Sequence, residues 1–231
     1  MRLSSRWRRA LVAAAVACLA VAPARAQNAP AWPDALLTRT QALALVQELN
    51  AEILASRSAT ASLEAWCGAH GLAPEARVVA EVVPVPPVAA SAEQRARLGV
   101  DSAEEVRHRH VRLRCGARVL SEADNWYVPG RLTPEMNRLL QTTDTPFGRV
   151  IAGLEPYRRT FLARLLWQPL APGWAHAPPS AAPCASAGIL LIPDALFEHR
   201  ALVYGRDHRP LAEVYEVYQR GLLAFPAPPP C

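Results

Sequence analysis

From Arg107 to Cys115 polar and apolar side chains alternate, and no other pattern in the chain limits its fold as strongly. In an extended segment Val111 and Leu113 share one face with Arg109, while His108, His110, Arg112 and Arg114 share the other. Gly116-Ala117-Arg118 makes a short turn, and Val119 to Val128 returns as a second strand ended by Pro129. Asp124-Asn125 in mid-strand suggests a bulge. Two antiparallel strands with one apolar face need a covering layer.

That layer is legible upstream. Asp34 to Arg57 reads as a helix with Leu43, Val46, Leu49, Ile53 and Leu54 along one stripe. A second helix runs from Thr60 to His70, burying Leu63, Trp66 and Cys67 before a left-handed stop at Gly71. Arg77 to Val83 is a strand ended by Pro84, Pro86 and Pro87, and Ser91 to Leu98 can form a short helix. Thr133-Pro134-Glu135 opens a helix to about Leu140. Arg158 to Trp167 alternates again, and Arg200 to Tyr204 with Leu211 to Tyr218 form a closing hairpin across Gly205-Arg206-Asp207. Trp66, Trp126 and Trp167 are expected to anchor the core. Helices first and antiparallel strands after indicate an α+β fold, one sheet with helices packed on one side.

The start of the chain has a different character. Arg2, Arg6, Arg8 and Arg9 precede an apolar run from Ala10 to Ala22, and Ala24-Arg25-Ala26 supplies an A-x-A site. Residues 1–26 are therefore expected to be a signal peptide cleaved between Ala26 and Gln27, for a periplasmic or secreted protein. The run is far short of the ~20 residues that span a bilayer, so no membrane span is expected. Cleavage also removes the basicity. The leader carries five Arg and no acid, leaving 25 − 5 = 20 basic against 20 acidic residues. A balanced chain has no electrostatic case for nucleic acid. Residues 27–231 suit a single domain, with a Pro/Ala-rich insertion at 168–186 and a Pro-rich tail at 226–231.

Four cysteines follow the leader: Cys67, Cys115, Cys184 and Cys231. An even count in an oxidising compartment allows two disulfides, and no C-x-x-C spacing supports a metal site. Cys184 and Cys231 lie in segments with little means of packing by themselves, so a Cys184–Cys231 bridge is expected, with Cys67 and Cys115 bridged or simply buried.

Few residues stand out for chemistry. Arg109 shares the buried face of its strand, where a guanidinium must find a carboxylate or grip an anionic ligand. An Arg paired with Glu105 or Glu216, or one reaching back to solvent, is the plain alternative. Glu213 and Glu216 lie three apart on the last strand, so only one of them faces inward. His108 and His110 have a metal-chelating spacing, but Arg112 and Arg114 on the same face would repel a cation; a solvated basic stripe is expected. No metal and no cofactor is expected.

Thr145-Pro146-Phe147-Gly148-Arg149 is the most distinctive short segment. Pro146 suits a helix start, Thr145 can cap its free donors, and Gly148 allows close approach of a ligand or a second backbone. This run, following the hairpin, resembles the Thr-Pro-Leu-Gly-Arg segment of chorismate pyruvate-lyase. His108-Arg109-His110-Val111-Arg112-Leu113 is similar to that family's strand with the catalytic Arg, and Gly205-Arg206-Asp207-His208-Arg209-Pro210-Leu211 leads into a Glu-bearing last strand. The ligand-binding domains of GntR-type transcription regulators share the fold without catalysis. The resemblance implies about six antiparallel strands enclosing a cavity for a small aromatic carboxylate. It implies that Arg109 holds the carboxylate, Phe147 and Gly148 line the ligand, and Glu213 or Glu216 meets a ring hydroxyl. The activity implied is cofactor-free elimination of pyruvate from chorismate to give 4-hydroxybenzoate, or a related aromatic-acid reaction. The alternative is a non-catalytic binding or interaction protein on the same fold. The match departs from the family in the turn at Gly116, in the spacing of both Glu residues from Pro210 and in the 168–186 insertion.

Overall fold

In the computed structural model residues 31–176 and 188–229 are described, so the leader, its cleavage site at Ala26 and Gln27, Cys184 and Cys231 lie outside the described residues. Six antiparallel strands form one sheet: β1 (Val78–Val82), β2 (Arg107–Cys115), β3 (Arg118–Tyr127), β4 (Tyr157–Leu165), β5 (Ala195–Tyr204) and β6 (Pro210–Gln219), in the order β1-β2-β3-β6-β5-β4. The β2–β3 and β5–β6 hairpins are the sequence-local halves, and pairing of β3 with β6 joins them. Gly116 makes the tight β2–β3 turn with φ of 54°, a conformation without steric cost for glycine.

The main helices lie on one side of the sheet. Helix α1 (Leu36–Ala55) buries Ala42, Val46, Leu49 and Ile53, spaced by three or four residues, against the sheet. Helix α2 (Ala59–Ala69) starts where the Ser58 side chain accepts the Ala61 N–H, and it buries Leu63, Trp66 and Cys67. Helix α4 (Pro134–Thr142) is capped by Thr133, and α5 (Phe147–Val150) is a single turn. The short α3 (Ala92–Leu98), closed by a Ser91–Gln94 capping box, packs over the opposite face, with Leu98 beside Leu202 and Val128.

Between sheet and helices the core contains Leu49, Ile53, Leu63, Leu120, Phe197 and Tyr218, each burial worth about 1.5–3 kcal/mol for a large apolar side chain. Trp32, fully buried, donates its indole N–H to the carbonyls of Leu223 and Phe225, and so seats the C-terminal turn. Trp66 does the same for Leu222. Cys67 and Cys115 form a disulfide that ties α2 to the end of β2.

Four local expectations are corrected. The register shift on β3 falls at Leu120, between the Leu113–Ser121 and Arg114–Val119 pairs, and Asp124 and Asn125 pair regularly. Strand β5 begins at Ala195, five residues before Arg200, because Leu196 and Phe197 bury against the core. Thr145 does not cap α5: Pro146 holds the N-cap position, and the Thr145 hydroxyl bonds to Thr143 instead. Trp126 belongs to the outer face, where its indole holds the Val88 carbonyl.

Candidate functional site

Arg109 lies on the inner face of β2, directly opposite Asn125 of β3, and is 7% exposed. None of its three guanidinium nitrogens has a hydrogen-bond partner among the described residues. Glu105 bonds Arg107 and Glu216 bonds Arg158, so neither neutralises Arg109. Burial pushes the guanidinium pKa below its ordinary value, opposed only by the nearby Tyr127. A buried cation with every donor unused is costly unless an anion completes it.

The surroundings suit such an anion. Beyond the end of β1, the edge of β2 is left to a proline-rich strap, and between them opens a groove of about 780 Å³. Val83, Val85 and Pro87 of the strap, with Leu140, Gln141 and Tyr127, form its walls around Arg109. Arg107, His108 and His110 add to the lining, so apolar walls with a few polar and basic groups, in a volume of several hundred Å³, match the usual make-up of small-molecule sites.

A second, smaller cavity of about 70 Å³ lies deeper between α2, α5 and the sheet. Ser58, Thr60, Asn125, Phe147, Gly148 and Glu216 line it. An added Cβ at Gly148 would stand 3.5 Å from both the Ser58 and Thr60 hydroxyls, an ordinary contact distance, so the packing here does not demand glycine. Tyr127 and Phe147, with ring centroids 6.0 Å apart, stand between the groove and the cavity.

Phe147, Gly148 and Glu216 thus come together, while Arg109 occupies the adjoining groove. Glu213 is separated from all of them. It points to the opposite face, where Arg97 of α3 grips both carboxylate oxygens at 2.8 Å. It is Glu216 that faces inward, 2.7 Å from Arg158 of β4 and 3.1 Å from the Tyr218 hydroxyl, which donates to it. Burial works against the Arg158 charge, but the Glu216 carboxylate more than compensates and holds it above its usual value. Burial and then Glu216 push the Tyr218 hydroxyl well up.

Arg158, His199 and Tyr218 were not among the residues singled out from sequence. His199 pairs across the sheet with Glu216, donates Nε2–H to Asn50 of α1 at 2.7 Å, and leaves Nδ1 without a partner among the described residues. Burial lowers its pKa to about 4, so it is neutral. The signal was weak: Glu198, His199 and Arg200 stand together between the apolar pairs Leu196-Phe197 and Ala201-Leu202. His108 and His110 are not a solvated stripe either. Both ring nitrogens approach one oxygen of Asp124 at 2.8 Å, and the His108 side chain is 3% exposed. Among the described residues no group of three or more His, Cys, Asp or Glu is placed to hold a metal ion, and no helix is long and apolar enough to cross a membrane.

No family model matches the chain. Among solved structures it is similar to the effector domain of PhnF from Mycobacterium smegmatis, at 16% identity and a TM-score of 0.42, over 70% of this chain and 88% of that one. It is also similar to a GntR-family transcriptional regulator from Enterococcus faecalis V583, at 10% identity and a TM-score of 0.38, over 60% of this chain and 91% of that one. At these scores neither likeness carries an argument about ligand or activity. Sequence similarity is much stronger to the uncharacterised protein y4mC of Sinorhizobium fredii: 46% identity over 198 residues, covering 85% of this chain and 83% of that one, so the chain belongs to the y4mC family.

Proposed function

We propose that this is an exported binding protein for a small aromatic carboxylate, with Arg109 as the anion anchor. The single observation that carries the reading is the buried Arg109 guanidinium, whose three nitrogens have no partner among the described residues, beside a groove that Arg109 helps to line. A carboxylate there makes a bidentate, charge-assisted pair, and the Val, Pro, Leu and Tyr walls accept a ring. The Cys67–Cys115 bridge supports the export part of the proposal, because disulfides persist in oxidising compartments.

The lyase reading draws support from Glu216, which lines the inner cavity with Phe147 and Gly148. Two facts weigh against it. A cavity of about 70 Å³ is well below the ~300–1,000 Å³ of ordinary small-molecule pockets. Its carboxylate is also already engaged by Arg158 and Tyr218. Binding without turnover is therefore the better reading.

Calorimetric titration of the mature protein with benzoate and 4-hydroxybenzoate, beside benzyl alcohol as a carboxylate-free control, tests it. Arg109→Ala should weaken acid binding roughly ten- to hundredfold, the loss of a charged hydrogen-bond partner. Arg112→Ala and Arg114→Ala should leave it nearly unchanged, since those side chains pair with Glu122 and Glu81 on the outer face. Equal losses at all three positions, or equal binding of the alcohol, would sink the anchor. Pyruvate released from chorismate would instead establish the lyase.

A further inference from the structure

The strap that walls the Arg109 groove is held in an unusual way. Pro84, Pro86 and Pro87 contribute no N–H, and from Pro84 to Ala90 the only hydrogen bonds among the described residues are two at Val88. The Val88 carbonyl accepts from the Trp126 indole at 3.0 Å, and the Val88 N–H donates to His108 Nδ1 at 3.2 Å.

The second bond dictates the protonation state of the ring. Nδ1 can accept only with its lone pair free, so the proton of neutral His108 sits on Nε2 and is donated to Asp124 Oδ1 at 2.8 Å. A second proton can go only to Nδ1. There it would face the Val88 N–H, donor against donor. Among the other charged or titratable groups of this face, His110 shares Asp124, Tyr215 pairs across from Asp124, and Glu213, across from Trp126, is held by Arg97. Arg107, two residues before Arg109, is engaged by Glu105. None of them offers Val88 another acceptor.

We propose that His108 is a protonation-sensitive latch: neutral, it holds the strap as a wall of the Arg109 groove, and protonated, it releases Val88. The consequence for ligand rests on the binding reading above: the groove keeps its anion at neutral pH and loses it on acidification.

Hydrogen exchange of ligand-free protein at about pH 5 and about pH 8, corrected for intrinsic rates, tests the latch apart from any ligand. Val88 protection should fall about tenfold or more on acidification, the equivalent of one lost hydrogen bond. His108→Gln, whose side-chain oxygen can accept at any pH, should show no such fall, and His110→Gln should still show it. Imidazole nitrogen shifts of the wild-type protein should report the Nε2–H form of His108 at the higher pH. An Nδ1–H tautomer, pH-independent Val88 exchange, or the same pH response in His108→Gln would overturn the latch. Release of the strap in a protein that binds no aromatic acid at either pH would leave the latch standing and remove the binding reading.

Discussion

Two arginines on the same face of one sheet should respond oppositely to the same substitution. Among the described residues Arg109 has no partner, whereas Arg158 is paired with Glu216 at 2.7 Å, and both side chains are nearly buried. Methionine has a similar length and no charge. At Arg109 it removes an uncompensated charge and three unpaired donor nitrogens. Replacing buried ionic groups by apolar ones of similar volume is often stabilising by about 1–4 kcal/mol, and Arg109→Met should fall in that range. In a domain of this size each kcal/mol moves Tm by about 2–4 °C, so a rise of several degrees is expected. At Arg158 the same change strands the Glu216 carboxylate in the core and should cost about 3–5 kcal/mol. Differential scanning calorimetry of the two variants without ligand reads both signs at once. With benzoate added, the wild type should gain stability by mass action and Arg109→Met should not. A destabilised Arg109→Met protein would mean that the guanidinium is satisfied in the native state, and the case for an anion site would fall.

Further outcomes follow from the same interior. His199 is neutral when folded, with a pKa of about 4 against 6.5 unfolded; the unfolded chain takes up the extra proton between these values, so stability should fall by about 3 kcal/mol as pH drops through this window. Urea titrations at several pH values should show that slope, and it should flatten in His199→Phe; an unchanged slope there assigns it to other groups. Non-reducing peptide mapping should find a Cys67–Cys115 peptide, and replacing both by Ala should cost on the order of 4 kcal/mol for a loop of 48 residues. The same map tests the expected Cys184–Cys231 bridge, for which two free thiols would be the contrary result. Mass spectrometry of the exported protein should place its amino terminus at Gln27, and an intact Met1 in the cytosol would refute the leader.

Much of the fold was legible because strand parity and helix periodicity are local. The alternation in Arg107–Cys115 by itself puts Arg109 inside with Val111 and Leu113, and from His108 onward the burial along β2 follows that parity. The stop at Gly71 and the turn at Gly116 are set by the backbone freedom of single residues. What the tertiary structure alone decided is where local pattern is degenerate or where partners are distant in sequence. On β6 the inward set Val214, Glu216 and Tyr218 and the outward set Glu213, Tyr215 and Val217 carry nearly the same residue types, so parity could not choose a Glu; Arg158 and Arg97, from elements far away in the chain, make the choice. The same holds for the disulfide, for Asp124 between two histidines, and for the strap that walls a groove beside the buried Arg109. Each arises from residues that meet only when the sheet has closed, and pairings of that kind are settled by packing and register, which no local stretch of sequence encodes.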